Sequence, residues 1–184
     1  EPMHLDWIAG VFDGTTTLEG LRVDVDLRWG LLTRLTTTGA WGPERIDEEL
    51  ARDNTAFGAQ SAAFARAAVP TAEAKAAAWM LMTKETDVAN SIYQYTALGF
   101  RQPEQLALLE QYVPSYFVEL PNVWTIHEHH MAEDFSLLTF PSVFVEEATL
   151  DMAANFLESN ADGHVAMLRY VKDCLLYTSP SPRD

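Results

Sequence analysis

The residues with the most obvious chemistry are His127-Glu128-His129-His130-Met131. A hydrolytic zinc helix needs two imidazoles at i and i+4, so that both face one metal, with a glutamate beside the first to polarise water. The run opens as H-E-x-x-H and fails at its last position, where Met131 stands. It leaves His127 and His130 at i,i+3 and His130 and Asp134 at i,i+4. A surface ion could be gripped by such a set, but a solvated polar helix face explains the same residues more simply. His4 and His164 stand alone and read as ordinary surface or satisfied histidines. Gly39, Gly99 and Gly163 read as helix caps, so no glycine-rich phosphate loop is left, and no Ser-His-Asp set sits on a strand–turn–helix elbow. The sequence therefore nominates no catalytic residue, no cofactor-binding residue and no metal ligand. Trp29, Trp41, Trp79, Tyr93, Tyr95, Tyr116, Phe117 and Trp124 recur at helical spacing beside aliphatics and read as core.

The elements that must position these groups are helices. Leu27, Leu31, Leu32 and Leu35 place one stripe on Val25–Thr37, with Asp24 or Asp26 as N-cap and Gly39 as the stop. Pro43 opens the next helix, whose apolar face carries Ile46, Leu50 and Phe57. Ala59–Ala68 ends before Pro70, and Thr71 caps Ala72–Met82. Asp87–Leu98 ends at Gly99, and Pro103 starts Glu104–Tyr112. Pro114 is expected to kink or break the run before Tyr116–Leu120, and Pro121 to open a segment reaching Phe140. Glu146–Ser159 and Gly163–Lys172 complete the series. Only Leu21–Leu27 alternates at period two, and it reads as an extended lead-in to the helix after it. Eight to ten helices with short Pro- and Gly-marked connections predict an all-α fold. Successive antiparallel pairs suggest an irregular helical-repeat array, HEAT/armadillo-like, with no strict sequence repeat.

Composition narrows the function classes. The chain has 184 residues, 48% of them hydrophobic, which suits one globular domain with a real core and excludes a disordered tail. With 12 Lys+Arg against 27 Asp+Glu the net charge is −15, which argues against a nucleic-acid partner. Apolar runs such as Ala76–Met82 are far too short to span a bilayer, so no membrane partner is expected. The first residue is Glu1 rather than Met, and the chain reads as a fragment of a longer protein.

The last eleven residues, Cys174–Asp184, read unlike the rest and end in Ser-Pro-Ser-Pro-Arg-Asp. They resemble the conceptual translation of a transposase adapter used in short-read DNA sequencing. On that reading residues 1–173 form the domain, and 174–184 are an artefact expected to be disordered, extended and exposed. Cys174 is the single cysteine, so no intrachain disulfide is possible.

Several phrases are more specific than periodicity. They are Leu18–Trp29 (LEGLRVDVDLRW), Glu49-Leu50 followed by Asp53–Gly58 (DNTAFG), and Ala67–Thr71 (AAVPT) with Lys75 and Ala78-Trp79. A fourth group is Gly99-Phe100, Pro103–Gln105, Leu108-Leu109, Tyr112-Val113 and Tyr116-Phe117. Together, over about Leu5 to Asp173, they resemble the C-terminal helical domain of the M1-family zinc aminopeptidases, of the aminopeptidase N type and most closely the actinobacterial ones. The resemblance implies a metallopeptidase, a hydrolase that removes N-terminal residues from peptides by a zinc-activated water. It implies an upstream catalytic domain of the same chain as partner, peptide substrates, a cytoplasmic location, and zinc in the parent with none here. This domain would close over the active-site cavity and restrict peptide access without supplying chemistry. The family helix is expected to carry a basic residue where His127 stands and an acidic one where His130 stands, so two imidazoles replace an i,i+3 ion pair. The competing reading is a stand-alone α-solenoid that presents a protein-binding surface.

Overall fold

The computed structural model describes residues 2–144 and 146–178, and every regular element among them is helical. The helices are α1 (Pro2–Asp13), α2 (Val25–Thr37), α3 (Glu44–Arg52), α4 (Ala56–Ala68), α5 (Ala72–Lys84) and α6 (Asn90–Phe100). A 3-10 turn at Pro103–Gln105 leads into α7 (Leu106–Leu109). Then come α8 (Tyr112–Ile126), α9 (His129–Leu138), α10 (Glu147–Ser159) and α11 (Val165–Thr178). The fold is all-α, as the spacing of apolar residues predicts.

Local chemistry sets the ends that the sequence marks best. Asp24 Oδ1 accepts from the Leu27 N–H at 2.9 Å and starts α2; Thr71 Oγ1 accepts from the Ala74 N–H at 3.2 Å and starts α5. Gly39 takes φ +74° and ends α2, a conformation open to glycine at little cost. Residues 21–24 form no regular element, and Asp24, the last of them, is extended at φ −87° and ψ −176°. Thr55 is a cap the periodicity missed: its Oγ1 accepts from the Gly58 N–H at 3.1 Å and starts α4 three residues before Ala59.

Four expectations are corrected. Gly99 is not a cap but lies inside α6, because a Cβ there would run into the Phe64 carbonyl oxygen and come within 3.0 Å of its Cα. Pro114 breaks nothing: it falls in the first turn of α8, where the missing N–H has no helical partner to lose. Pro121 does not open a helix but sits inside α8, and the helix ends instead at His127. The helix expected over Glu104–Tyr112 is shorter, a 3-10 turn followed by the four residues of α7.

The final helix also runs past its expected end near Asp173, through Cys174 to Thr178. Cys174 and Leu175 follow Met167, Leu168 and Val171 at three- and four-residue steps, and both pack partly against the larger core. The expectation of an extended segment from Cys174 fails on these residues; 179–184 lie outside the described residues.

Consecutive helices pack on one another as α1 on α2, α3 on α4, α4 on α5, α5 on α6, α8 on α9 and α10 on α11. The most extensive contact is not consecutive: α4 lies against α6, with further contacts of α2 on α4, α6 on α9 and α9 on α11. Two apolar clusters result. One joins α1 to α5 around Phe12, Trp29, Leu32, Ile46 and Ala62. The larger runs from α4 to α11 around Tyr93, Tyr116, Leu120, Phe135 and Phe140. The α4–α6 contact depends on the missing Cβ of Gly99. Gly99→Ala should therefore destabilise by about 1–3 kcal/mol, the scale of forced overpacking. Chemical denaturation would show it, and an unchanged midpoint would refute it.

Candidate functional site

Three buried polar centres and one apolar groove account for the side chains that could act. In the first centre, Arg28 on α2 grips Glu49 on α3 with two parallel bonds, Nε to Oε1 at 2.7 Å and Nη2 to Oε2 at 2.6 Å. Its Nη1 donates to the Phe12 carbonyl of α1 at 3.0 Å, and the guanidinium lies 4.0 Å over the Phe12 ring. The hydrogen bond to Glu49 raises the Arg28 pKa while burial works the other way. Next to it, Trp29 Nε1 donates to Asp53 Oδ2 at 2.8 Å, and the other Asp53 oxygen takes the Thr55 hydroxyl at 2.7 Å. Arg28 and Trp29 on α2 are committed to groups on α1, on α3 and just past the end of α3, so the arrangement clamps α1, α2 and α3 rather than offering a reactive atom.

The second centre gathers helix C-termini. Lys75, wholly buried on α5, donates from Nζ to the Ala67 carbonyl of α4 at 2.7 Å and the Phe100 carbonyl of α6 at 2.8 Å. Gln105 Nε2 donates to the Thr37 carbonyl of α2 at 3.0 Å and the Ala68 carbonyl of α4 at 2.8 Å. A cation suits the negative end of a helix dipole, while burial pushes the Lys75 amine down to about 8. Gln105 Oε1 is buried without a hydrogen-bond partner.

The third centre holds the near-motif, and its imidazoles do not converge. His127 caps the end of α8, and its Nε2 lies 2.9 Å from the Met82 carbonyl, which also receives the Tyr93 hydroxyl at 3.0 Å. Burial raises the Tyr93 pKa, and the charge of Asp134 adds to it. His130 lies with Nδ1 3.8 Å from Glu133 Oε2, on the exposed side of α9. Asp134 points inward and accepts from Gln94 Nε2 at 3.3 Å; burial raises its pKa. His129 and His164 both lie against Trp124, at ring-centroid distances of 5.2 and 4.4 Å. Among the described residues no three His, Cys, Asp or Glu side chains form a group that could hold a metal ion.

His127 makes a pH prediction. Burial lowers its pKa, against the opposing effect of the Met82 hydrogen bond. The unfolded chain then binds this proton more readily than the folded one. Its contribution to stability is present above the ordinary histidine range, near pH 6.5, and is lost as pH falls through the folded value. His127→Gln, which keeps a donor for Met82, should flatten the fall in stability between pH 7 and 5. Asp134 contributes with the opposite sign at lower pH. Superimposable acid titrations of the two proteins would refute the assignment.

The groove lies where α4, α5 and α6 meet. It encloses about 430 Å³, with Ala63, Ala67, Ala78 and Thr96 at its floor and Leu81 and Ile92 on its walls. Arg66, Thr71 and Glu73 stand at its mouth. The sequence shows nothing of it, because alanines on two separate helices, completed by Ile92 and Thr96 on a third, have no local signature.

Comparison with known proteins places the chain. Residues 1–175 match the model of the ERAP1-like C-terminal domain family. The chain is also 39% identical over 172 residues to aminopeptidase N of Streptomyces lividans, covering 94% of this chain and 20% of that protein. It thus spans about one fifth of the length of the curated relative it matches. The phrases that carry the resemblance in sequence turn out to hold Arg28, Glu49, Asp53, Thr55 and Lys75, the residues of the buried clamps. With a helical architecture throughout and a family match that runs almost end to end, the chain belongs to the ERAP1-like C-terminal domain family.

Proposed function

We propose that residues 1–173 are the C-terminal helical domain of an M1-type zinc aminopeptidase, which removes N-terminal residues from peptides. The observation that carries this is the 39% identity to an aminopeptidase N over one fifth of that protein's length. The domain supplies no catalytic group, cofactor contact or metal ligand of its own. Its residues do not fit zinc, since the nearest candidates, His127, His130 and Asp134, are each turned to a different neighbour. Zinc and the water it activates belong to the upstream catalytic domain. The helices, read as an irregular repeat array, close over the active-site cavity and limit the peptides that enter.

The location is cytoplasmic by the same resemblance; no helix among the described residues is long and apolar enough to cross a membrane. The reading frame upstream of Glu1 tests the proposal. A complete H-E-x-x-H several hundred residues earlier, in a full-length protein that releases amino acids from peptide amides, is the expected result. An in-frame start codon just before Glu1 would instead make the chain a stand-alone α-solenoid scaffold. Downstream, a genomic sequence that departs from this one after Lys172 would establish the adapter origin of 174–184.

A further inference from the structure

We propose that the α4–α5–α6 groove is the seat for apolar side chains of the upstream part of the same polypeptide. This rests on reading the chain as the C-terminal part of a longer enzyme, and it names the surface that reading leaves unspecified. The volume, about 430 Å³, falls within the roughly 300–1,000 Å³ of pockets that enclose ligands. Its chemistry is not that of a small-molecule site, which sets a few convergent polar groups inside an apolar wall. Here the floor is alanine methyls and Thr96, whose hydroxyl is already spent on the Ile92 carbonyl at 2.8 Å. An occupant must therefore bring hydrocarbon and nothing polar to the floor.

The small floor residues also let another backbone come close. The stripes Ala63/Ala67, Ala74/Ala78 and Ile92/Thr96 each step by four residues, so each of the three helices turns one face of mostly small side chains to the groove. At the mouth Arg66 is held by Asp47 at 2.6 Å, whereas the Glu73 carboxylate has no partner among the described residues. On a domain of net charge −15, that free carboxylate selects a segment with a basic residue flanking its apolar ones. The length outside this chain supplies the occupant, since four fifths of the relative lies beyond the match.

The test uses the full-length protein with photoreactive benzoylphenylalanine in place of Ala77, which is exposed beside the groove, or of Val118 on α8, which is 75% exposed and lies away from it. Irradiation should give intramolecular crosslinks from position 77 to residues upstream of Glu1, at least tenfold more than from position 118. In parallel, Ala77→Arg should speed protease cleavage at the junction upstream of Pro2 at least tenfold. Crosslinks from position 77 only to a second copy, only within 1–184, or not above the position 118 level would overturn the proposal. So would an unchanged cleavage rate. Crosslinks in a protein without peptidase activity would defeat the functional reading alone, and activity without crosslinks would defeat this one alone.

Discussion

Replacing Lys75 by methionine should cost more stability at pH 10.5 than at pH 7, with the difference reaching about 3 kcal/mol. The wild-type amine is held at about 8 by burial, against an ordinary value of 10.5. Between those two pH values the unfolded chain carries a proton that the folded chain has released. Stability from this group therefore rises with pH across that window and is level below it. The geometry agrees: Nζ meets two carbonyl acceptors, at 2.7 and 2.8 Å, and the neutral amine has two N–H groups to give them. At pH 7 the variant loses both bonds but is also relieved of a buried ammonium, so its net cost is modest. Above pH 10 only the loss of the bonds remains. Urea denaturation of both proteins at several pH values from 7 to 10.5 measures this. A difference that does not change with pH would show that Lys75 stays charged throughout.

The second large effect is expected at the α1–α2–α3 clamp. Arg28→Ala should destabilise by about 3–5 kcal/mol, because it strands a buried carboxylate without its partner. Glu49 is only 4% exposed, so water cannot take the place of the guanidinium. For a domain of this size the loss corresponds to roughly 10–15 °C in Tm. Glu49→Gln should cost clearly less. It leaves Arg28 its bond to the Phe12 carbonyl and its place over the ring, and it buries no carboxylate, while the guanidinium that loses its partner is the more exposed of the two groups, at 17% against 4%. If the two variants melt together, the charge pair is not what holds the clamp. Arg45, stacked 4.2 Å over Trp41 and bonded to Asp13 at 2.8 Å on a more exposed rim, offers the contrast. Arg45→Ala should cost no more than about 1 kcal/mol.

How much of this could be read in advance depends on the distance along the chain over which each interaction acts. The Asp24 and Thr71 caps were legible because acceptor and donor lie three residues apart. The apolar stripes were legible because one helix generates them. Gly99 and Pro121 were misread because a glycine or proline has the same local meaning whether it ends a helix or admits a neighbour. Only the Phe64 backbone across the α4–α6 contact decides for Gly99. The clamps were invisible for the same reason. Arg28 and Glu49 are 21 residues apart, Trp29 and Asp53 are 24 apart, and Lys75 and Phe100 are 25 apart. The resemblance picked out the phrases that contain these residues without saying what they do. The near-motif reads as incomplete because Met131 stands where its last histidine would be; the contact His127 does make, against the end of α5, needs Met82 to be brought 45 residues across the chain.

Helix α4 presents Ala62 and Ala65 to one apolar cluster and Ala67 to the other, while Ala63 and Ala67 floor the groove. Alanine has no side-chain torsion to adjust, so the alanine faces that α4 turns to both clusters and to the groove have no rotamer with which to repack. Ala67, on the groove floor, carries the carbonyl that accepts from Lys75, and Ala68 beside it carries the one that accepts from Gln105, which also holds the end of α2. The floor of the groove and the buried hydrogen bonds that tie α2, α5 and α6 to α4 thus share the last turn of one helix.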